Sequence, residues 1–332
     1  GADRIRVLAL PERDRGKAMS QPVVTGGAGF IGSCFTRYIL NNYPELNVTV
    51  LDALTYAGRP ENIAGLPIEF IHADIRNYED VEEAAETADF IVNFAAETFV
   101  DKSIADPKAF VTTDVIGVYN LLEAAKKHKV EKFVQISTDE VYGEVMSGAA
   151  SEEAPIKPNN PYSASKAGGE MLARSYYVTY GLPVIITRCS NNYGPYQHPE
   201  KLIPKIITNA IMDKEIPLYG DGTQIRDWIY VYDHCEALTT ALFKGKIGEV
   251  YNISSECLMR NIDITKLILR IMGKPESLIK YVDDRPGHDR RYAISNDRIK
   301  KLGWEPRHSL EEGMKKTVEW YIENQNWWRS IK

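Results

Sequence analysis

A short β-branched run, Pro22 to Thr25, feeds into Gly26-Gly27-Ala28-Gly29-Phe30-Ile31-Gly32 and then an amphipathic stretch reaching Asn42. Strand, glycine turn and helix in immediate succession constrain this chain more than any other feature. Glycines there permit a tight turn, close approach of the backbone to a pyrophosphate and close helix packing, while the helix N-terminus supplies amides and the positive end of a dipole. A second strand, Val48 to Asp52, ends in an acid twenty residues beyond Gly32. A carboxylate there accepts hydrogen bonds from an adenosine ribose and repels a 2′-phosphate, which favours NAD over NADP. Asp74 and Ile75, after the third strand, would flank adenine, unless Asp74 is an ordinary strand-end acid. Ala95-Ala96-Glu97-Thr98 puts small residues where a nicotinamide ribose must pass.

The alternation continues with candidate strands at Ile68 to His72, Phe90 to Phe94, Lys132 to Ser137 and Val184 to Arg188. Between them lie candidate helices at Tyr78 to Glu86, Asp114 to His128 and Ser165 to Tyr180. This rhythm predicts an α/β fold with a Rossmann-type, doubly wound parallel sheet covered on both faces. After Tyr193 the pattern becomes irregular and richer in Pro, Gly and aromatics. Helices are expected there near Leu202 to Met212, Tyr232 to Lys244, Asp263 to Met272, Ser295 to Leu302 and Ser309 to Asn324. The expected division is residues 1–20 as a tag remnant or flexible extension, 21–193 as an NAD-binding domain with later returns of the chain, and 194–332 as a smaller, mixed, mainly substrate-binding lobe. Trp320, Trp327 and Trp328 read as packing residues.

With 40 basic and 46 acidic residues, the net charge of −6 argues against a nucleic-acid polymer as partner, since such binders cluster Lys and Arg. No run approaches the roughly 18 apolar residues that cross a bilayer. The expectation is a soluble, cytoplasmic protein that binds no membrane. Cys34, Cys189, Cys235 and Cys257 form no Cys-x-x-Cys pair and the histidines no ligand-spaced cluster, so reduced thiols and no metal are expected.

Tyr162-Ser163-Ala164-Ser165-Lys166 puts a phenol and an ammonium on one helix face. The adjacent ammonium and a nicotinamide cation would favour phenolate and make Tyr162 a base toward a sugar hydroxyl. Asp139 and Glu140 follow the fifth strand within Ser137-Thr138-Asp139-Glu140-Val141-Tyr142-Gly143. In a continuing strand they would face opposite ways, so both reach one substrate only if the chain turns there. Two such carboxylates could divide acid and base roles, one kept protonated by burial and like charge. The alternative is a solvated acidic turn or a helix cap.

From about Pro22 onward these residues resemble the nucleotide-sugar 4,6-dehydratases of the extended short-chain dehydrogenase/reductase superfamily. The glycine motif and Tyr162/Lys166 are general to that superfamily, whereas the Asp139-Glu140 pair is similar to the dehydratase branch. Also similar are Asn191 to Gln197, Glu200 to Pro204, Tyr219 to Gly222 with Arg226 to Trp228, and Asp284 to Asp289. The resemblance implies an NAD-dependent hydro-lyase acting on dTDP-glucose, with UDP-glucose, or a UDP-sugar 4-epimerase, as alternatives. It implies that Tyr162 takes the C4 hydroxyl proton during oxidation, that Glu140 removes the C5 proton, and that Asp139 protonates the departing C6 hydroxyl before the cofactor is regenerated. Thr138 would hold the C4 oxygen, and Lys166 the nicotinamide ribose. The implied cofactor contacts are Gly26, Gly29, Phe30, Ile31, Gly32, Asp52, Thr55, Asp74, Ile75, Ala95, Ala96, Thr98, Thr113, Tyr162, Lys166 and Asn192. The implied nucleotide-sugar contacts are Thr138, Asn191, Lys201, Leu202, Tyr219, Arg226, Asn261, Arg285 and His288, and a homodimer through a four-helix bundle is implied as well. Three features depart from the family pattern: Phe99 in place of a histidine, Asp114 in place of an asparagine, and Ser254 to Arg260 in place of a glycine-rich turn.

Overall fold

Short β-branched runs punctuated by glycine and flanked by amphipathic segments give alternating strands and helices, and residues 20–331 are described in the computed structural model. The first half runs β1 (Pro22–Thr25), α1 (Phe30–Asn42), β2 (Thr49–Asp52), β3 (Glu69–His72), α2 (Tyr78–Ala85), β4 (Phe90–Asn93), α3 (Val100–Ala105), α4 (Pro107–Val111), α5 (Val118–His128), β5 (Lys132–Thr138), α6 (Pro161–Tyr180) and β6 (Val184–Cys189). The second half runs β7 (Asn191–Tyr193), α7 (Leu202–Ile211), β8 (Ile216–Tyr219), β9 (Ile225–Tyr230), α8 (Val231–Lys244), β10 (Val250–Ile253), β11 (Leu258–Arg260), α9 (Asn261–Met272), β12 (Ile279–Val282), α10 (Asp297–Lys300), α11 (Leu310–Glu323) and α12 (Gln325–Arg329).

Seven parallel strands form the main sheet in the order β3-β2-β1-β4-β5-β6-β10. The order reverses between β1 and β4, the switch point at which ligands bind in open α/β sheets. One face is covered by α1 and α8, with Phe35, Ile39, Leu238 and Leu242 in the core, and the other by α2, α5 and α6, with Leu121, Leu122 and Ala173. The smaller lobe holds the sheets β11-β9-β7 and β12-β8 around Ile207, Ile268, Tyr321 and Trp328. No helix among the described residues is long and apolar enough to cross a membrane.

Residues 1–19 of the expected extension lie outside the described residues, but Ser20 belongs to the fold, its amide donating to Asp89 Oδ2 at 2.7 Å. Helix α6 starts at Pro161, not Ser165. Asn160 and Ser163 form a capping box and Pro161 occupies the first helical position, so Tyr162 lies in the first turn. The helix expected from Asp114 to His128 begins inside a π-helical turn, Thr112 to Gly117, which joins α4 to α5. The helix expected from Ser295 to Leu302 shrinks to the four residues of α10.

Candidate active site

The carboxyl ends of the central strands and the smaller lobe enclose a cavity of about 600 Å³. Every residue expected as a catalytic, cofactor or nucleotide-sugar contact lines it. The glycine loop, Asp52, Thr55, Asp74, Ile75, Ala95, Ala96, Thr98 and Thr113 form one arm, Thr138, Asp139, Glu140, Tyr162 and Lys166 the middle, and Asn191, Asn192, Lys201, Leu202, Tyr219, Arg226, Asn261, Arg285 and His288 the rest.

Two positions of the loop after β1 tolerate no side chain. A Cβ on Gly26, whose φ is +68°, would stand 2.6 Å from the Ala95 amide nitrogen, and one on Gly32 would stand 2.3 Å from the Gly26 carbonyl oxygen. Helix α1 starts at this loop without a side-chain cap, leaving its first amides to the cavity. Each Asp52 oxygen accepts one backbone amide, Ala28 N at 2.9 Å and Leu54 N at 2.8 Å. Asp74 is held by Arg76, with the guanidinium nitrogen 2.6 Å from Oδ2, and this pairing keeps its carboxyl below the usual range.

Strand β5 breaks after Thr138 into a 3₁₀ turn, Asp139 to Tyr142, whose cap is the Thr138 hydroxyl accepting from Glu140 N at 3.2 Å. That turn resolves the strand-alternation problem and aims both carboxylates into the cavity. Thr138 Oγ1 also donates to Asp139 Oδ1 at 3.2 Å. Their surroundings differ. Burial, reinforced by the Glu140 carboxylate, pushes Asp139 well above the ordinary carboxyl range, against the pull of Arg226. Glu140 is raised too, chiefly by burial, but Arg226, Arg285, the Tyr292 hydroxyl and Lys201 all oppose the rise. Asp139 is therefore the better proton donor and Glu140 the better acceptor.

Tyr162 departs from expectation. Burial, then the carboxylates Glu140, Asp114 and Asp139 and the Cys189 thiol, push its phenol well above its ordinary value. Lys166 is itself buried, and its ammonium donates to the Ile136 carbonyl at 2.8 Å. The chain's own ammonium does not outweigh burial, so a phenolate at this position needs the positive charge of a ligand.

Lys201, Arg226 and Arg285 bring three cations to one end of the cavity. Arg285 pairs with Asp101 at 3.0 Å, whereas Lys201 Nζ donates to the Thr98 carbonyl at 2.9 Å and Arg226 to the Asp289 carbonyl at 2.9 Å. Several buried cavity-lining atoms have no hydrogen-bond partner among the described residues: Asp139 Oδ2, Asn191 Oδ1, Asn261 Oδ1, Arg285 Nε and Trp228 Nε1. Buried polar groups are rarely left so, and an array around one cavity fits a polar ligand. The glycine cradle in the other arm fits a dinucleotide.

Tyr292 escaped notice in the sequence. Its hydroxyl lies 2.6 Å from Asp289 Oδ2 and 3.2 Å from Glu140 Oε1, and its ring lies under the Arg226 guanidinium. Nothing local marks it; the His-Asp-Arg-Arg-Tyr run following Gly287 was the available signal. Of the departures, Phe99 lines the cavity with Lys201 Nζ 4.9 Å from its ring centre. Asp114 stands behind it on the π turn, accepting from Glu97 N at 2.9 Å and Ser165 Oγ at 2.7 Å. Ser254 to Arg260 lie outside the lining, with Leu258 to Arg260 paired as β11 against β9.

The GDP-mannose 4,6-dehydratase family model matches residues 23–317. The low-salt glycan biosynthesis protein Agl12 of Haloferax volcanii is 51% identical, the match covering 90% of this chain and 98% of that protein. The chain belongs to this family. Another relative is the dTDP-glucose 4,6-dehydratase of Streptomyces niveus, 45% identical with 93% and 95% covered. Among solved structures, the dTDP-glucose 4,6-dehydratase DesIV of Streptomyces venezuelae, with NAD bound, is 45% identical and superposes with a TM-score of 0.92 over 94% of this chain and all of that one. Membership in the GDP-mannose 4,6-dehydratase family thus rests on nearly the whole described chain, both lobes included.

Proposed function

We propose that the chain is a dTDP-glucose 4,6-dehydratase, converting dTDP-glucose to dTDP-4-keto-6-deoxyglucose and water with NAD. One observation carries this reading: two adjacent, buried carboxylates in unlike surroundings, Asp139 without a partner for Oδ2 and Glu140 facing three cations. Oxidation and re-reduction of a sugar alone would need no second acid and base.

NAD, held by the glycine loop, Asp52 and Lys166, would supply the oxidising and then the reducing equivalent, leaving the overall reaction redox-neutral. The remaining work is the chain's own. Tyr162 accepts the C4 hydroxyl proton, its phenolate favoured by the charge of the bound nicotinamide ring. The C4 ketone acidifies the C5 proton, which Glu140 removes. Asp139 delivers its proton to the leaving C6 hydroxyl. Lys201, Arg226 and Arg285 meet the substrate diphosphate, for which charge and the planar guanidinium fork suit them.

Incubation with dTDP-glucose is expected to yield a product lighter by one water, without NADH accumulating. Unchanged substrate, or an isomer of equal mass, would overturn the reading, and UDP-glucose assayed in parallel tests the base preference.

We also infer a homodimer. Val111, Ile116 and Tyr119, around the π turn, and Met171 and Val178 of α6 are exposed apolar residues on helices that pack together. Sedimentation at twice the monomer mass is expected, and a monomer at micromolar concentration would refute it. The four free cysteines support the cytoplasm as its compartment.

A further inference from the structure

The cofactor arm has a wall that the chemistry leaves unexplained. After β2, Ala53 and Thr55 to Gly58 line the cavity, and the segment continues into a 3₁₀ turn, Pro60 to Asn62. Ala28, in the middle of the glycine loop, is completely buried and held three ways. Its amide donates to Asp52 Oδ2, and its carbonyl accepts from Arg59 N at 3.0 Å and from Asn62 Nδ2 at 2.8 Å. Asn62 is buried as well, and its other amide end, Oδ1, accepts the indole N–H of Trp327 at 2.8 Å. Both ends of one side-chain amide are thus committed, and turning it would break both bonds.

Trp327 belongs to α12, and the neighbouring Trp328 is completely buried in the core of the smaller lobe. Arg59 reaches the same helix, its guanidinium 3.0 Å from Ser330 Oγ and 5.5 Å from the Trp327 ring centre. The C-terminal helix, anchored in one lobe, therefore grips the cofactor loop of the other.

We propose that Trp327 and Asn62 are positioning residues that latch the 53–62 loop onto the glycine loop and so retain NAD. The reading above, on which this inference rests, puts NAD against the glycine loop and Asp52, and Thr55 to Gly58 line the same cavity. For NAD to leave, the loop must lift from Ala28, and the Asn62 contact must break first. The aromatic body of Trp327, against Trp320 at 5.1 Å between ring centres, holds the indole N–H in position.

The test loads the full-length holoenzyme with labelled NAD, chases with excess unlabelled NAD, and follows release. Trp327→Phe keeps the aromatic packing and deletes the donor, while Asn62→Ala deletes both bonds. Each is expected to speed release at least threefold, with the double variant no faster than the faster single one, because the two residues act in series. The thermal midpoint of the NAD-free protein separates latching from general loosening. Release at the wild-type rate, additive effects, or acceleration only in step with a lowered NAD-free midpoint would overturn the latch. A wild-type protein that takes up no NAD would overturn the cofactor reading and the latch with it, whereas tight NAD with unaltered release in the variants overturns the latch alone.

Discussion

At the scale of the residue, the proposed chemistry rests on two neighbouring carboxyls kept in different company. Asp139→Asn and Glu140→Gln are expected to slow elimination by about 10²- to 10⁴-fold, the usual worth of a positioned acid or base, while sparing the first oxidation. Rapid-quench analysis with C5-deuterated substrate would read the two steps separately, and full dehydration rates in either variant would refute the assigned roles. Asp114 permits a pH argument. Burial raises its carboxyl from 3.8 to about 6, with Lys166 and Ser165 opposing. A carboxyl raised on folding contributes stability that is fully present below pH 3.8 and lost as pH rises through 6. That rise corresponds to roughly 3 kcal/mol. Ser165 Oγ also lies 2.8 Å from the Tyr162 carbonyl, and its single proton serves both contacts only when position 114 donates. Asp114→Asn supplies that donor at every pH. It should therefore be more stable than wild type at pH 8, by up to about 3 kcal/mol, with the gap closing toward pH 4. Denaturant titrations across that range would check it, and a constant gap would refute it.

At the scale of the element, α6 is the beam on which the chemistry hangs. Its Glu170 carboxylate is completely buried and receives the Arg188 guanidinium of β6, Nε lying 3.0 Å from Oε1, so helix and strand are tied directly behind the active-site turn. Glu170→Ala would strand a buried guanidinium and is expected to destabilise the fold by about 3–5 kcal/mol, measured by chemical denaturation. Gly169, one residue before, touches the π turn, where a Cβ would stand 2.2 Å from the Asp114 carbonyl oxygen. Gly169→Ala should therefore lower the thermal midpoint, unlike a Gly→Ala change at an open helical site. These cases also explain what sequence could and could not disclose. The strands of the first half and its helices α1, α2 and α5 were legible because hydrophobic period and turn chemistry are local, whereas the short α3 and α4 were not anticipated. The start of α6 is written in Asn160-Pro161, an N-cap followed by a first-position proline, although the expected helix begins only at Ser165. The π turn was hidden, since one extra residue in a helix hardly disturbs a 3.6-residue pattern. Tyr292 was hidden because its partner Glu140 lies 152 residues away in the chain.

At the scale of the whole molecule, the two lobes are held by contacts that cross the cavity. Asp101 pairs with Arg285 and accepts from the Tyr219 hydroxyl at 3.2 Å, joining α3 to the nucleotide end. The outer face of the α5/α6 pair is where the inferred dimer would form. Val178, 63% exposed, is the position to alter. Val178→Asp should shift sedimentation from dimer toward monomer, and an unchanged dimer would move the interface elsewhere. The seventh strand has a consequence of another kind. β10 pairs with β6 through Val250 to Ile253, yet the chain leaves β6 at Cys189. During synthesis the β6 edge therefore stays unpaired for the 60 residues between positions 189 and 250, while much of the smaller lobe emerges. An exposed parallel edge is a template for pairing with another chain. A nascent polypeptide arrested before β10 would thus be the stage of this protein's life most prone to aggregation.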